Sequence, residues 1–216
     1  MKDIILYHGS KSGLNGPISP LSRKYCDFGS GFYMGTQKRQ SLTLICNIPK
    51  ARLYTLKVDL GGLNILNIEV GIDWALLIAL NRGKMEIIRG TPFYNKYKKM
   101  SDNKDMIIGH IANDRMFIVL DRFFSGDITD EALIHSLSAL QLGKQYVAIT
   151  NKACSQINIL DEQFMNTNDR RILKSESERN RADGIAIAEE ICRRYRRKGK
   201  YFDEIINGGV SYDESH

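Results

Sequence analysis

The chain of 216 residues is long enough for one packed domain with an appendage, and 43% hydrophobic with 26% charged residues is ordinary for a globular protein. No apolar run approaches the roughly 18 residues of a membrane span, and Met1-Lys2-Asp3 passes directly into Tyr7-His8-Gly9 without a leader pattern. A membrane partner is therefore not expected and a cytoplasmic location is. The formal charge of +6 lies in residues 1–160, with 20 Lys/Arg against 13 Asp/Glu, while 161–216 carry 11 against 12. Such an excess attracts phosphate-rich ligands or nucleic acid without specifying either.

In chain order, residues 3–7 are β-prone and end in the turn signal His8-Gly9-Ser10, and Gly13, Gly16, Pro17 and Pro20 mark the following segment as loop. Asp27-Phe28-Gly29-Ser30-Gly31-Phe32-Tyr33 sets two glycines before an aromatic pair, a pattern that lets backbone approach a ligand closely before a strand begins. Thr36 is expected to cap a helix to about Asn47, with Leu42, Ile45 and Cys46 inward. Strands are expected over 53–60 and 63–68, then a helix capped by Asp73 and stopped by Asn81-Arg82-Gly83. Residues 84–104 read as a mobile polar loop. A strand at 105–109, a helix over 116–124, a helix from Thr129 to 141 and strands at 145–150 and 157–160 complete a unit of residues 1–160. Residues 161–216 read as a basic helical tail rather than an independent domain, its helix starting at the capping box Ser175-Glu176-Ser177-Glu178 and ending in the cluster 193–200.

Cys26, Cys46, Cys154 and Cys192 are widely spaced, which predicts free thiols and no zinc site. His110 and His135 have no ligand spacing around them.

Tyr7-His8-Gly9-Ser10 followed by Phe28-Gly29-Ser30-Gly31-Phe32-Tyr33 resembles the nicotinamide-binding halves of His-Tyr-Glu-class ADP-ribosyltransferases, which include the poly-ADP-ribose polymerases and diphtheria toxin. More specifically, residues 3–160 resemble the bacterial DUF3990 family. The resemblance rests on His8-Gly9-Ser10, Asp27 to Tyr33, Trp74 to Arg82, Ile108 to Arg115 and the strand led by Gln145, in that order.

This resemblance implies an α+β fold of two packed, mostly antiparallel small sheets with surrounding helices and an NAD cleft between them. It implies NAD as co-substrate, without a metal, for mono-ADP-ribosyl transfer to a macromolecular acceptor, protein or nucleic acid. Bacterial domains of this kind often act as toxins or defence effectors, for which a neutralising antitoxin partner is expected. Carried over, His8 bonds ribose hydroxyls, Gly9 and Ser41 hold the nicotinamide carboxamide, Ser10 lies near the adenosine side and Tyr33 stacks on nicotinamide. Tyr7, Gly31 and Phe32 complete the cofactor site, and Arg115 either faces a phosphate or pairs with Asp114. Two positions depart from the class. Leu44 stands where the polymerases have a second stacking tyrosine, and Gln145 stands where they have the catalytic glutamate. Glutamine can hydrogen-bond a ribose hydroxyl but supplies no negative charge. Three readings follow: Gln145 positions ribose for transfer; the site binds NAD or ADP-ribose without turnover; or Asp114 or Glu131 supplies the charge. A nucleic-acid-binding or RNA-modifying protein is a further alternative.

Overall fold

The computed structural model describes residues 3–112, 117–139 and 142–207. Seven strands, β1 (Asp3–Ser10), β2 (Phe32–Gly35), β3 (Arg52–Asp59), β4 (Ile65–Ile68), β5 (Met106–His110), β6 (Lys144–Ala148) and β7 (Ile157–Phe164), form one sheet in the order β4-β5-β6-β2-β1-β3-β7. Only β4 and β5 run parallel; the other neighbours are antiparallel. The fold is α+β as expected, but two separate packed sheets are not what the strands make. β2 pairs along its length with β6 and also touches β1, so the halves join. The joint is narrow: Tyr7↔Gly35 is its one residue pair, against eight pairs between β1 and β3.

Side chains alternate across this sheet. One face buries Leu6, Phe32, Met34, Tyr54, Leu56, Met106, Ile108 and Ala148 under the loop after β1 and under α6 (Asn151–Ser155). The other face, carrying Ile107 and Val147, is covered by α2 (Ile72–Asn81), α4 (Phe117–Phe124) and α5 (Asp130–Leu137). Trp74, Leu77 and Ile78 of α2 are buried at i, i+3 and i+4, but so are Ala75, Leu76 and Ala79, so this helix is enclosed on all sides; α5 buries Leu133 and Leu137, and Thr129 caps it through Ala132 N.

Three local expectations change. Residues 84–104 are not a loop but a 3₁₀ turn at Glu86–Ile88 and α3 (Pro92–Lys98). Thr91 accepts from Tyr94 N, Pro92 occupies the first turn, and Tyr94 and Tyr97 fall three apart on one buried face. The first helix, α1 (Lys38–Thr43), is shorter than expected, though Ile45 and Cys46 are buried in the turn after it. The long helix α7 (Thr167–Arg194) starts eight residues before the Ser175 box, because Asn166 Oδ1 accepts from Asp169 N at 2.8 Å and starts it earlier.

The tail packs closely onto the rest. β7 crosses residue 160, Leu173, Ala188 and Cys192 of α7 are buried, and Phe202 of α8 (Phe202–Asn207) packs edge-on against Phe93, Phe123 and Phe124. Near its start, α7 holds α1: Arg39 and Glu176 form a two-pronged ion pair and Arg170 Nε donates to Cys46 O at 3.2 Å.

Candidate functional site

The narrow joint between β1 and β2 is where the sequence motifs meet. Past Tyr7 the two strands are no longer partners, and a side chain takes over from the backbone ladder: His8 Nδ1 lies 2.7 Å from Tyr33 O. A carbonyl only accepts, so Nδ1 carries the proton and donates, which leaves Nε2 as an acceptor. Nε2 has no protein partner among the described residues. The ring stacks on Phe32 with centroids 4.3 Å apart. Both line a cavity of about 190 Å³ closed by the loop from Gly13 to Leu21. Tyr54 anchors that loop by accepting from Leu14 N at 2.9 Å, and Ser10 Oγ donates to Gly13 O. Small-ligand pockets usually run from about 300 Å³, so this cavity suits a sugar-sized group rather than a dinucleotide.

Burial lowers the His8 pKa from its ordinary 6.5, and the bond to Tyr33 O offsets this only in part. The unfolded chain therefore takes up a proton that the folded chain resists, and stability falls as the pH drops through 6.5, by up to about 1.4 kcal/mol per pH unit. A His8→Asn variant, whose amide can keep the bond to Tyr33 O, should lose less stability than the intact chain in urea melts between pH 7.5 and 5.5. Equal losses would place the acid sensitivity elsewhere.

Tyr33 and Gln145 lie on the opposite face from His8. The Tyr33 hydroxyl donates to Gly29 O at 2.8 Å and accepts from Phe28 N at 3.0 Å, folding the glycine stretch back beneath its own ring. Burial pushes its pKa far up, so the phenol is neutral. Gln145, 6% exposed, donates through Nε2 to Asp27 Oδ2 at 2.8 Å and to His110 O at 3.3 Å. Asp27 is a hub. Its Oδ1 accepts from Arg82 Nε at 2.9 Å and from the Arg82 terminal nitrogen, its Oδ2 also takes Ala112 N at 3.4 Å, and its carbonyl accepts from Asn81 Nδ2 at 3.1 Å. The Asp27 and Arg82 side chains are both buried. The polar groups of four of the quoted motifs thus bond one another inside the protein.

The other expected site residues divide between these faces. Gly9 and Ser41 are adjacent as expected, but tightly: a Cβ on Gly9 would sit 2.7 Å from Ser41 O and 2.9 Å from Ile45, so glycine is what lets α1 lie on β1. Ser41 Oγ donates to Tyr7 O at 3.3 Å. Gly31 is needed for close packing, since a Cβ there would lie 2.5 Å from Val147 and 3.0 Å from Ala148 O. Leu44 is 57% exposed and walls nothing. Glu131 pairs with His135 on α5 rather than joining the site. Asp114 and Arg115 lie outside the described residues. Among the described residues no three His, Cys, Asp or Glu side chains gather as metal ligands.

The sequence model of a family described as "Protein of unknown function (DUF3990)" matches residues 4–159. The chain belongs to the DUF3990 family. The matched span covers the seven strands except Asp3 of β1 and residues 160–164 of β7, and contains His8, Asp27, Tyr33, Arg82 and Gln145. The helices α7 and α8 follow the part that DUF3990 describes. No curated protein and no solved structure matches the chain. Within this DUF3990 chain, Asp27 is the residue whose role sequence reading missed. Its signal was a carboxylate beside the glycine stretch together with an Asn-Arg pair in a chain segment that looked like a mere helix stop.

Proposed function

We propose that this protein is an NAD-dependent mono-ADP-ribosyltransferase acting on a macromolecule, as a bacterial toxin or defence effector that would need a neutralising partner. The observation that carries the reading is His8: Nδ1 is committed to Tyr33 O, and Nε2 is left as an acceptor for a hydroxyl beside a sugar-sized cavity. In the proposed reaction the bond between nicotinamide and the ribose carbon breaks, nicotinamide leaves with the bonding pair, and a nucleophile of the acceptor bonds the same carbon. Charge on the ribose develops in an oxocarbenium-like transition state, so holding its hydroxyls and the leaving group contributes to rate. His8 would hold the ribose and Gly9 and Ser41 the carboxamide, while Tyr33, on the opposite face, would support the glycine stretch rather than stack on the ring. Entry of the ring requires α1 to lift, since Ser41 O and Ile45 rest against Gly9.

A second reading, an NAD- or ADP-ribose-binding module without turnover, is favoured by Gln145, whose amide is committed to Asp27 and His110. Adenylate-labelled NAD added to a lysate tests both. The first reading expects label on protein or nucleic acid with the intact chain and a loss of at least about 100-fold in His8→Ala, within the span typical of a single catalytic group. Label absent while NAD still raises the melting temperature of the intact chain, and not of His8→Ala, would establish the second. Neither label nor a melting shift would refute both.

A further inference from the structure

We propose that the cavity between α4 and the end of α7 binds consecutive phosphates of a single-stranded nucleic acid. It has a volume of about 560 Å³ and is lined by Arg122 of α4, Arg193 of α7 and Arg196 just beyond it, over a floor of Ile128 and Cys192. None of the three guanidinium groups has a hydrogen-bond or ion-pair partner among the described residues, in contrast to neighbouring Arg194, which is bonded to Glu190. Asp127 and Glu189 also line the cavity, and neither lies within ion-pair distance of these arginines. A planar fork of donors matches phosphate oxygens in pairs, and three forks around one cavity suit more than one phosphate.

A strand is favoured over a small polyphosphate because exposed basic residues continue along the chain beyond the cavity-lining Arg196. Arg197, Lys198 and Lys200 follow Arg196, and Tyr201 is a partly exposed ring at that end on which a base can stack. The site is separate from the His8 cavity, shares no lining residue with it, and stands whether or not the protein transfers ADP-ribose.

Anisotropy of a labelled oligouridine of about 12 nucleotides, titrated with the full chain at several salt concentrations, tests this. The intact chain should bind, and Arg122→Gln/Arg193→Gln/Arg196→Gln should bind at least tenfold more weakly at low salt. The slope of log affinity against log salt should shrink by about 2, near 0.7 for each phosphate contact removed. Glu189→Gln takes a negative charge from the same cavity and should bind several-fold more tightly, which loss of folding cannot mimic. No binding by the intact chain, equal binding by the triple variant, or no gain in Glu189→Gln would overturn the proposal. Displacement of the strand by equimolar tripolyphosphate would overturn it in favour of a free polyphosphate.

Discussion

Replacing Asp27 by Ala should destabilise the fold by about 3–5 kcal/mol, the usual cost of removing one partner of a buried ion pair. For a chain of this size that corresponds to a melting temperature lower by roughly 6–20 °C. The substitution removes the acceptor of Arg82, Gln145 and Ala112 N together, and takes a carboxylate from beside a buried guanidinium. The cost is large because three buried donors lose this acceptor, not because the pair itself is strong. Asp27→Leu combined with Arg82→Met should therefore be milder than Asp27→Ala alone. Thermal melts of the three proteins check this, and a drop below about 1 kcal/mol for Asp27→Ala would mean that the hub does not hold the glycine stretch in place.

The legible parts of this fold were those with local causes. β-propensity located β1 and β6, alternation located β3 and the Thr129 cap located α5, because these signals lie within a few residues of the element they define. α3 was hidden by its lysines, since its buried face is only two tyrosines wide. The Ser175 box misled because the same four letters occur inside a helix that an earlier cap has already started. At the site, His8 and Phe32 line one cavity, whereas Tyr33 and Gln145 turn to the other face. The role of Asp27 had no local cause to read it from. Its partners lie 55, 85 and 118 residues away, and the strand order β5-β6-β2 with α2 packed on that sheet brings them together.

That arrangement changes what Gln145→Glu should do. If the missing glutamate were simply a lost catalytic group, restoring it would raise transfer and leave the fold alone. The structure puts the new carboxylate against Asp27 Oδ2, where the amide now donates at 2.8 Å. Two carboxylates at that distance cannot both be ionised cheaply, and Arg82 is already engaged by the first. The glutamic acid form can still donate one hydrogen bond to Asp27, so the folded state favours it and raises its pKa above the unfolded value. A group with a raised folded pKa keeps its full contribution below the unfolded value, about 4.3, and loses it as pH rises through the folded value. Gln145→Glu should thus be close to the intact chain near pH 4 and about 2.5–3.5 kcal/mol less stable at pH 7 for a shift of roughly two to three units. Urea unfolding across that range measures it. A variant equally stable at both pH values, with increased transfer from NAD, would mean that position 145 opens onto the ligand and that the Asp27 contact is dispensable.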